Sequence, residues 1–129
     1  MHEARLRKLR NSIEEKGIDG IVVSKRENRF YISGFEGSEG VAIITQSKSI
    51  IVTDSRYVEQ AKAQAPNYEI MLTKSGVSSF ETAILILESL NINNIGIEGH
   101  VVTINDFNYI KSKFGNMSFT KTQGIVEEI

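Results

Sequence analysis

A three-layer α/β/α sandwich on a mixed, about six-stranded sheet is the fold class this sequence predicts, and three observations predict it. Strand-like runs alternate with amphipathic helical segments along nearly the whole chain, the pattern of α/β proteins. One pair of runs, Val41–Thr45 and Ser49–Thr53, breaks the alternation. Both are β-branched and apolar, and the polar Gln46-Ser47-Lys48 between them fits a hairpin, so the sheet is mixed and not all parallel. Finally, 129 residues make one ordinary domain, long enough to bury a core, and no Pro/Gly/Ser-rich linker, repeat or low-complexity tract divides it.

The elements follow in order. Leu6, Leu9 and Ile13 recur at helical spacing, and Gly17 supplies the left-handed turn that ends a helix. Arg5, Arg7, Lys8 and Arg10 on that helix are diluted by Glu3, Glu14 and Glu15, so they read as a solvated face and not as a phosphate patch. Asp19 to Ser24 reads as a buried strand, and Ser24 with Glu27 forms a capping-box pattern that starts a short helix over Asn28 to Ile32. Gly34, Gly37 and Gly40, three apart, mark a loop of close turns. After the hairpin, Asp54-Ser55-Arg56-Tyr57 ends a strand and opens a helix carrying Val58, Ala61 and Ala65, which Pro66 stops.

Tyr68 to Thr73 is the next strand. Ser78 and Glu81 make a second capping box ahead of the stripe Phe80, Ala83, Ile84, Leu87 and Leu90. Ile95 to Glu98 is a short strand, Thr103 caps a helix with Ile104, Phe107, Ile110 and Phe114, and Met117 to Thr120 is a final strand. Gly124 to Ile129, apolar and acidic, reads as the first turn of something longer.

Composition narrows the function classes. With 40% hydrophobic residues, 24% charged residues and a net charge of -1, the chain has no overall attraction for nucleic acid or an acidic lipid surface. The absence of cysteine removes disulfide frameworks, thiolate catalysis and cysteine zinc sites. The longest apolar run, Ala83 to Leu87, is far short of a membrane span, and the charged first helix has no secretory apolar core, so a cytoplasmic location is expected.

The motifs that carry chemistry fail one by one. GFEGSEG lacks the dinucleotide spacing G-x-G-x-x-G and the Walker ending, and it leads into a strand where phosphate binding wants a helix N-terminus. Ser38 lies between Gly37 and Glu39, but not in a strand-to-helix elbow, and only His2 and His100 are available as bases. Asp54 and Glu98 end predicted strands, with Asp19 and Asp106 as further carboxylates. Structural roles account for them: Asp54 caps a helix or pairs with Arg56, and Glu98 and His100 occupy a polar turn. Phe30, Tyr31, Phe35 and Tyr57 lack the basic groove of a base-stacking platform. No catalytic residue and no metal ligand is therefore assigned to this chain. Two readings of the Gly34 to Gly40 loop stand: a mobile loop, or a tight turn with Phe35 tucked beneath it.

Asn28-Arg-Phe-Tyr-Ile-Ser-Gly-Phe-Glu-Gly-Ser-Glu-Gly, the hairpin after it, and Thr53-Asp-Ser-Arg-Tyr with Gln60-Ala61 together resemble the creatinase/prolidase N-terminal domain. The resemblance runs from the first helix to Val126-Glu-Glu, with mild departures such as Ile32-Ser33. It implies a ribonuclease H-like domain that precedes the catalytic domain of Xaa-Pro aminopeptidases and Xaa-Pro dipeptidases. It also implies two divalent metal ions, manganese, cobalt or zinc, held by two Asp, one His and two Glu in a C-terminal pita-bread domain that lies outside this chain. The implied partners are that catalytic domain, a second copy in a homodimer, and proline-containing peptides as substrate of the parent. Carried over residue by residue, Phe35, Glu36, Gly37 and Ser38 become a substrate-gating or interface loop, and Asp54, Arg56 and Tyr57 a structural brace at a strand end. The alternative is a free-standing α/β binding module without peptidase activity.

Overall fold

Strand order in the sheet is what sets the useful edge of this molecule. A computed structural model describes residues 1–129. In chain order the elements are α1 (His2–Glu15), β1 (Gly20–Val23), α2 (Arg26–Ser33), β2 (Val41–Thr45), β3 (Ser49–Thr53) and α3 (Val58–Gln64). They continue with β4 (Glu69–Leu72), α4 (Ser79–Ser89), β5 (Asn94–Glu98), α5 (Ile104–Lys113) and β6 (Ser118–Thr122). The six strands lie in the order β4-β3-β2-β1-β5-β6. β2 runs antiparallel to both its neighbours, as the hairpin requires, while β1–β5, β3–β4 and β5–β6 are parallel. The expected mixed sheet is thus present.

Period-two alternation sorts the central strands onto two faces. Ile21, Val23, Ala42, Ile44 and Ile51 pack with Leu9 and Ile13 of α1, Ile32 of α2 and Ala61 of α3. Val22, Val41, Ile43, Ile50 and Val52 pack on the opposite side with Ala83, Ile84 and Leu87 of α4, Ile110 of α5 and Phe114 at the end of α5. The strands β1 and β2 are buried along their whole length, because helices cover both faces. Each fully buried Leu or Ile contributes about 1.5–3 kcal/mol over an exposed one, so these two layers are the main source of stability.

The helix ends show which local signals operate. Ser78 and Thr103 cap α4 and α5, accepting hydrogen bonds from the backbone N–H of Glu81 and Asp106. The expected box at Ser24 does not form. Lys25 is the N-cap of α2 and its side chain makes no capping bond. Asp54 caps nothing either, since α3 starts after Tyr57, again without a side-chain cap. In both places a more distant or more flexible partner takes the side chain first.

The strand registers place the C-terminal ends of β1, β3, β4, β5 and β6 and the N-terminal end of β2 along one edge of the sheet. This is the edge at which α/β sheets carry their ligands. It holds the Gly34 to Gly40 loop, the Asp54 to Tyr57 turn and the Glu98 to His100 turn.

Candidate functional site

Gly34 ends α2 in the left-handed region at φ 89° and sends the chain inward, so that Phe35 is 0% exposed and joins the core beneath the loop. The tucked arrangement is the one found for Phe35: an apolar ring of this size gains more from the core than from a polar loop. Gly37 is required by contact, because a Cβ there would overlap the Phe35 ring. Gly40 is required by conformation, with φ 143° and the Val52 carbonyl oxygen 2.7 Å from where a Cβ would sit.

The loop backbone is held from several sides. Arg29, only 2% exposed, donates from Nη1 to the Gly40 carbonyl at 2.6 Å and from Nη2 to the Gly37 carbonyl. Arg26 Nη2 donates to the Glu36 carbonyl at 2.6 Å, and Thr53 Oγ1 to the Glu39 carbonyl at 2.5 Å. Gln64 accepts the Glu36 N–H at 3.0 Å and donates to the Glu36 carboxylate at 3.1 Å. Ser79 Oγ, at the start of α4, donates to Glu39 Oε2 at 2.6 Å. What remains directed outward is Glu36 and Ser38, both exposed. Glu36 lines a shallow depression with Arg26, Glu27 and the exposed Phe30.

The second predicted group lies beside the first. Ser38 Oγ and Tyr57 Oη share a hydrogen bond of 2.5 Å, which joins the loop to the turn after β3. Asp54 Oδ1 accepts the Arg56 backbone N–H at 3.0 Å and Arg56 Nε at 3.0 Å, while Oδ2 accepts Nη2 at 2.7 Å. The Arg56 hydrogen bond holds the Asp54 carboxyl below the usual carboxylate range. Arg56 also stacks 5.1 Å over the Tyr57 ring. Glu36, Ser38, Tyr57 and Gln64 thus meet on one surface, with Phe35 and Gly37 buried beneath it.

Along the same edge, Glu98 is 1% exposed and fully engaged. Its Oε1 accepts the backbone N–H groups of Ser24 and Lys25, each at 2.7 Å, and its Oε2 accepts Asn28 Nδ2 at 2.7 Å. His100 Nε2 lies 3.4 Å from Glu127 Oε2, and Lys25 Nζ 3.6 Å from the same oxygen. Ligand atoms of Glu98, His100 and Glu127 come within 4.8 Å of one another. This set does not fit a two-metal centre: it offers three groups, the Glu98 oxygens already serve four donors, and the Lys25 ammonium lies beside Glu127. It ties the β1–α2 turn to the end of β5 and to the C-terminal turn.

Two relationships at this edge escaped sequence reasoning: the role of Arg29, and the partners of Glu98, which was expected in a polar turn and is instead buried at the end of β5. Arg29 sits at i, i+3, i+4 spacing with Ile32 and Ser33, all three buried, so an arginine on the apolar face of α2 was the available signal. The donors to Glu98 lie seventy or more positions from it, and no local pattern encodes them.

Comparison with known proteins places these features in a family. The family model described as creatinase/prolidase N-terminal domain matches residues 5–129. An uncharacterized peptidase, YqhT, of Bacillus subtilis (strain 168) is 39% identical over 99 residues, which is 77% of this chain and 28% of that protein. The solved Xaa-Pro dipeptidase from Bacillus anthracis is 31% identical with a TM-score of 0.87, covering 99% of this chain and 35% of that one. The N-terminal domain of the cytoplasmic peptidase PepQ from Mycobacterium tuberculosis is 28% identical with a TM-score of 0.88, and the match covers 97% of each chain. The chain therefore spans about a third or less of the longer proteins that it matches.

Proposed function

Since the chain belongs to the creatinase/prolidase N-terminal domain family, we propose that it is the non-catalytic N-terminal domain of an Xaa-Pro peptidase, a hydrolase, and that it serves dimerisation and gating of that enzyme's active site. The observation that carries this reading is the match over 99% of this chain to 35% of an Xaa-Pro dipeptidase. In this reading hydrolysis, and the two divalent metal ions that activate water for it, belong to a C-terminal domain, and no step of the reaction is routed through Glu98, His100 or Glu127. The partners are that domain, a second copy of the chain and proline-containing peptides. A cytoplasmic location accompanies the proposal; no helix is long and apolar enough to cross a membrane.

The gate is assigned to the outward side of the loop. Phe35 and Gly37 are buried and shape it, whereas Glu36 and Ser38 are exposed and positioned to meet a substrate or a neighbouring subunit. The Asp54, Arg56 and Tyr57 brace supports it from the side, through the Tyr57 hydroxyl. The test is to replace Glu36 or Ser38 by alanine in the full-length peptidase and compare kcat/KM for Xaa-Pro dipeptides and for longer peptides. A gating loop changes the ratio between the two substrate classes; an equal change in both, or none, overturns the assignment.

A further inference from the structure

We propose that Arg29 is the positioning residue of the Gly34 to Gly40 loop: its guanidinium fork, stacked on Phe35 and bound to the Gly37 and Gly40 carbonyls, sets the geometry in which Glu36 and Ser38 face outward. The relevance of that geometry to substrate rests on the gate reading given above. The positioning itself does not, and it is tested in the 129-residue chain.

The argument begins with an anomaly. A guanidinium buried to 2% exposure normally has a carboxylate partner, because an uncompensated buried charge is expensive. Arg29 forms no ion pair, and its Nε has no hydrogen-bond partner at all. Burial, with Arg26 nearby, lowers its pKa to about 10, although Glu39 acts in the opposite direction. An apolar residue would suit the site better if packing were the only requirement.

What the arginine receives in return is the loop. Its two Nη groups reach two carbonyls three residues apart, a bridge that needs a planar fork and not a point charge. Its Cζ lies 4.7 Å from the centre of the Phe35 ring, a cation–π contact in a water-poor place. The same ring excludes a side chain at Gly37 and lies 3.2 Å from where a Cβ on Gly40 would sit. Arginine, phenylalanine and the two glycines therefore form one template in which each member requires the others. The Phe35 N–H donates to Ser33 Oγ, whose own proton goes to the Arg29 carbonyl, so the backbone of Arg29 is tied to the start of the loop as well.

Backbone and side-chain NMR relaxation on the chain, with Arg29→Met and Arg29→Lys, tests this. In the parent chain the amides of Gly37, Ser38, Glu39 and Gly40 are expected to have order parameters of about 0.85, like the sheet. In both variants they fall below about 0.6, with loss of the Ser38 to Tyr57 contact, while the sheet resonances stay in place. The lysine variant separates positioning from charge, since it keeps the cation and loses the fork. Loop amides that remain rigid in a folded variant overturn the proposal. Should neither variant fold, the parent chain decides. Separate, slowly rotating Nη resonances of Arg29 in contact with Gly37 and Gly40 are expected, and an averaged guanidinium signal overturns the proposal.

Discussion

Glu98 Oε2 accepts a 2.7 Å hydrogen bond from Asn28 Nδ2, seventy positions away, and so fastens the end of β5 to the first turn of α2. The same carboxylate takes the N–H groups of Ser24 and Lys25, which have no capping side chain of their own. Replacing Glu98 by alanine leaves four donors without this acceptor in a buried or part-buried setting. We expect a loss of about 3 kcal/mol, read from urea denaturation, with Glu98→Gln losing about half of that because one acceptor oxygen remains. A Glu98→Ala midpoint equal to that of the parent contradicts this account.

Phe35 makes the second prediction. Its ring is wholly buried in the core layer that includes residues of α1, α2, α3 and the sheet, so Phe35→Ala opens a cavity that the glycine loop and Arg29 border. The expected loss is about 3–5 kcal/mol, whereas Phe35→Leu, which refills most of the space, loses about 1 kcal/mol. Chemical denaturation distinguishes this from a loop-surface role, for which both variants have nearly the parent's stability.

Two glycines with positive φ are expected to respond differently. At Gly17 an added Cβ meets nothing within 4 Å, so Gly17→Ala carries only the left-handed penalty of about 1–2 kcal/mol. At Gly40 the Val52 carbonyl stands 2.7 Å from the new atom, and the strain of φ 143° is added to it. Gly40→Ala is therefore expected to shift the thermal midpoint at least twice as far as Gly17→Ala. Equal shifts mean that the start of β2 moves aside freely.

The acid side of the stability profile concerns Glu127. Burial favours its neutral form, but hydrogen bonds from Asn28 and its own backbone, together with His100 and Lys25, outweigh this and hold its pKa below the ordinary 4.5. A depressed folded-state pKa stabilises the protein above the unfolded value and ceases to do so as pH falls through the folded one. The midpoint difference between the parent chain and Glu127→Gln is thus expected to be present above pH 4.5 and to shrink as pH is lowered below it. A difference that grows toward acid contradicts the sign.

The pair Asp54 and Arg56 is expected to behave otherwise. The Arg56 side chain is exposed and Asp54 is partly exposed, and a pair that solvent and salt reach contributes little, so Asp54→Ala leaves the midpoint nearly unchanged at moderate salt. Its effect is expected in the order of the turn, seen as altered NMR shifts at Ser55 to Val58. A large fall in midpoint makes Asp54 a global support.

Sequence alone determined what depends on neighbours within four residues. The spacing of Leu9 and Ile13 marked α1, Val41 to Thr53 its hairpin, and Ser78 and Thr103 the starts of α4 and α5, because capping and amphipathic periodicity are interactions between positions i and i+3 or i+4. The glycine spacing located the loop and, with the residues around it, the family. Tertiary structure decided the rest. Ser24 has the pattern of a cap, yet its turn is held by Glu98 from 74 positions on, an acceptor that strand pairing delivers to that place. Phe35 reads equally well as a gate or as a core residue until α1, α2 and the sheet enclose a space of its size. Arg29 stands on the apolar face of α2 with no partner that the sequence names until the loop folds back over it. A side chain's role at this edge depends on which atoms long-range packing sets against it, and that is a property of the assembled sheet and helices, not of any window of sequence.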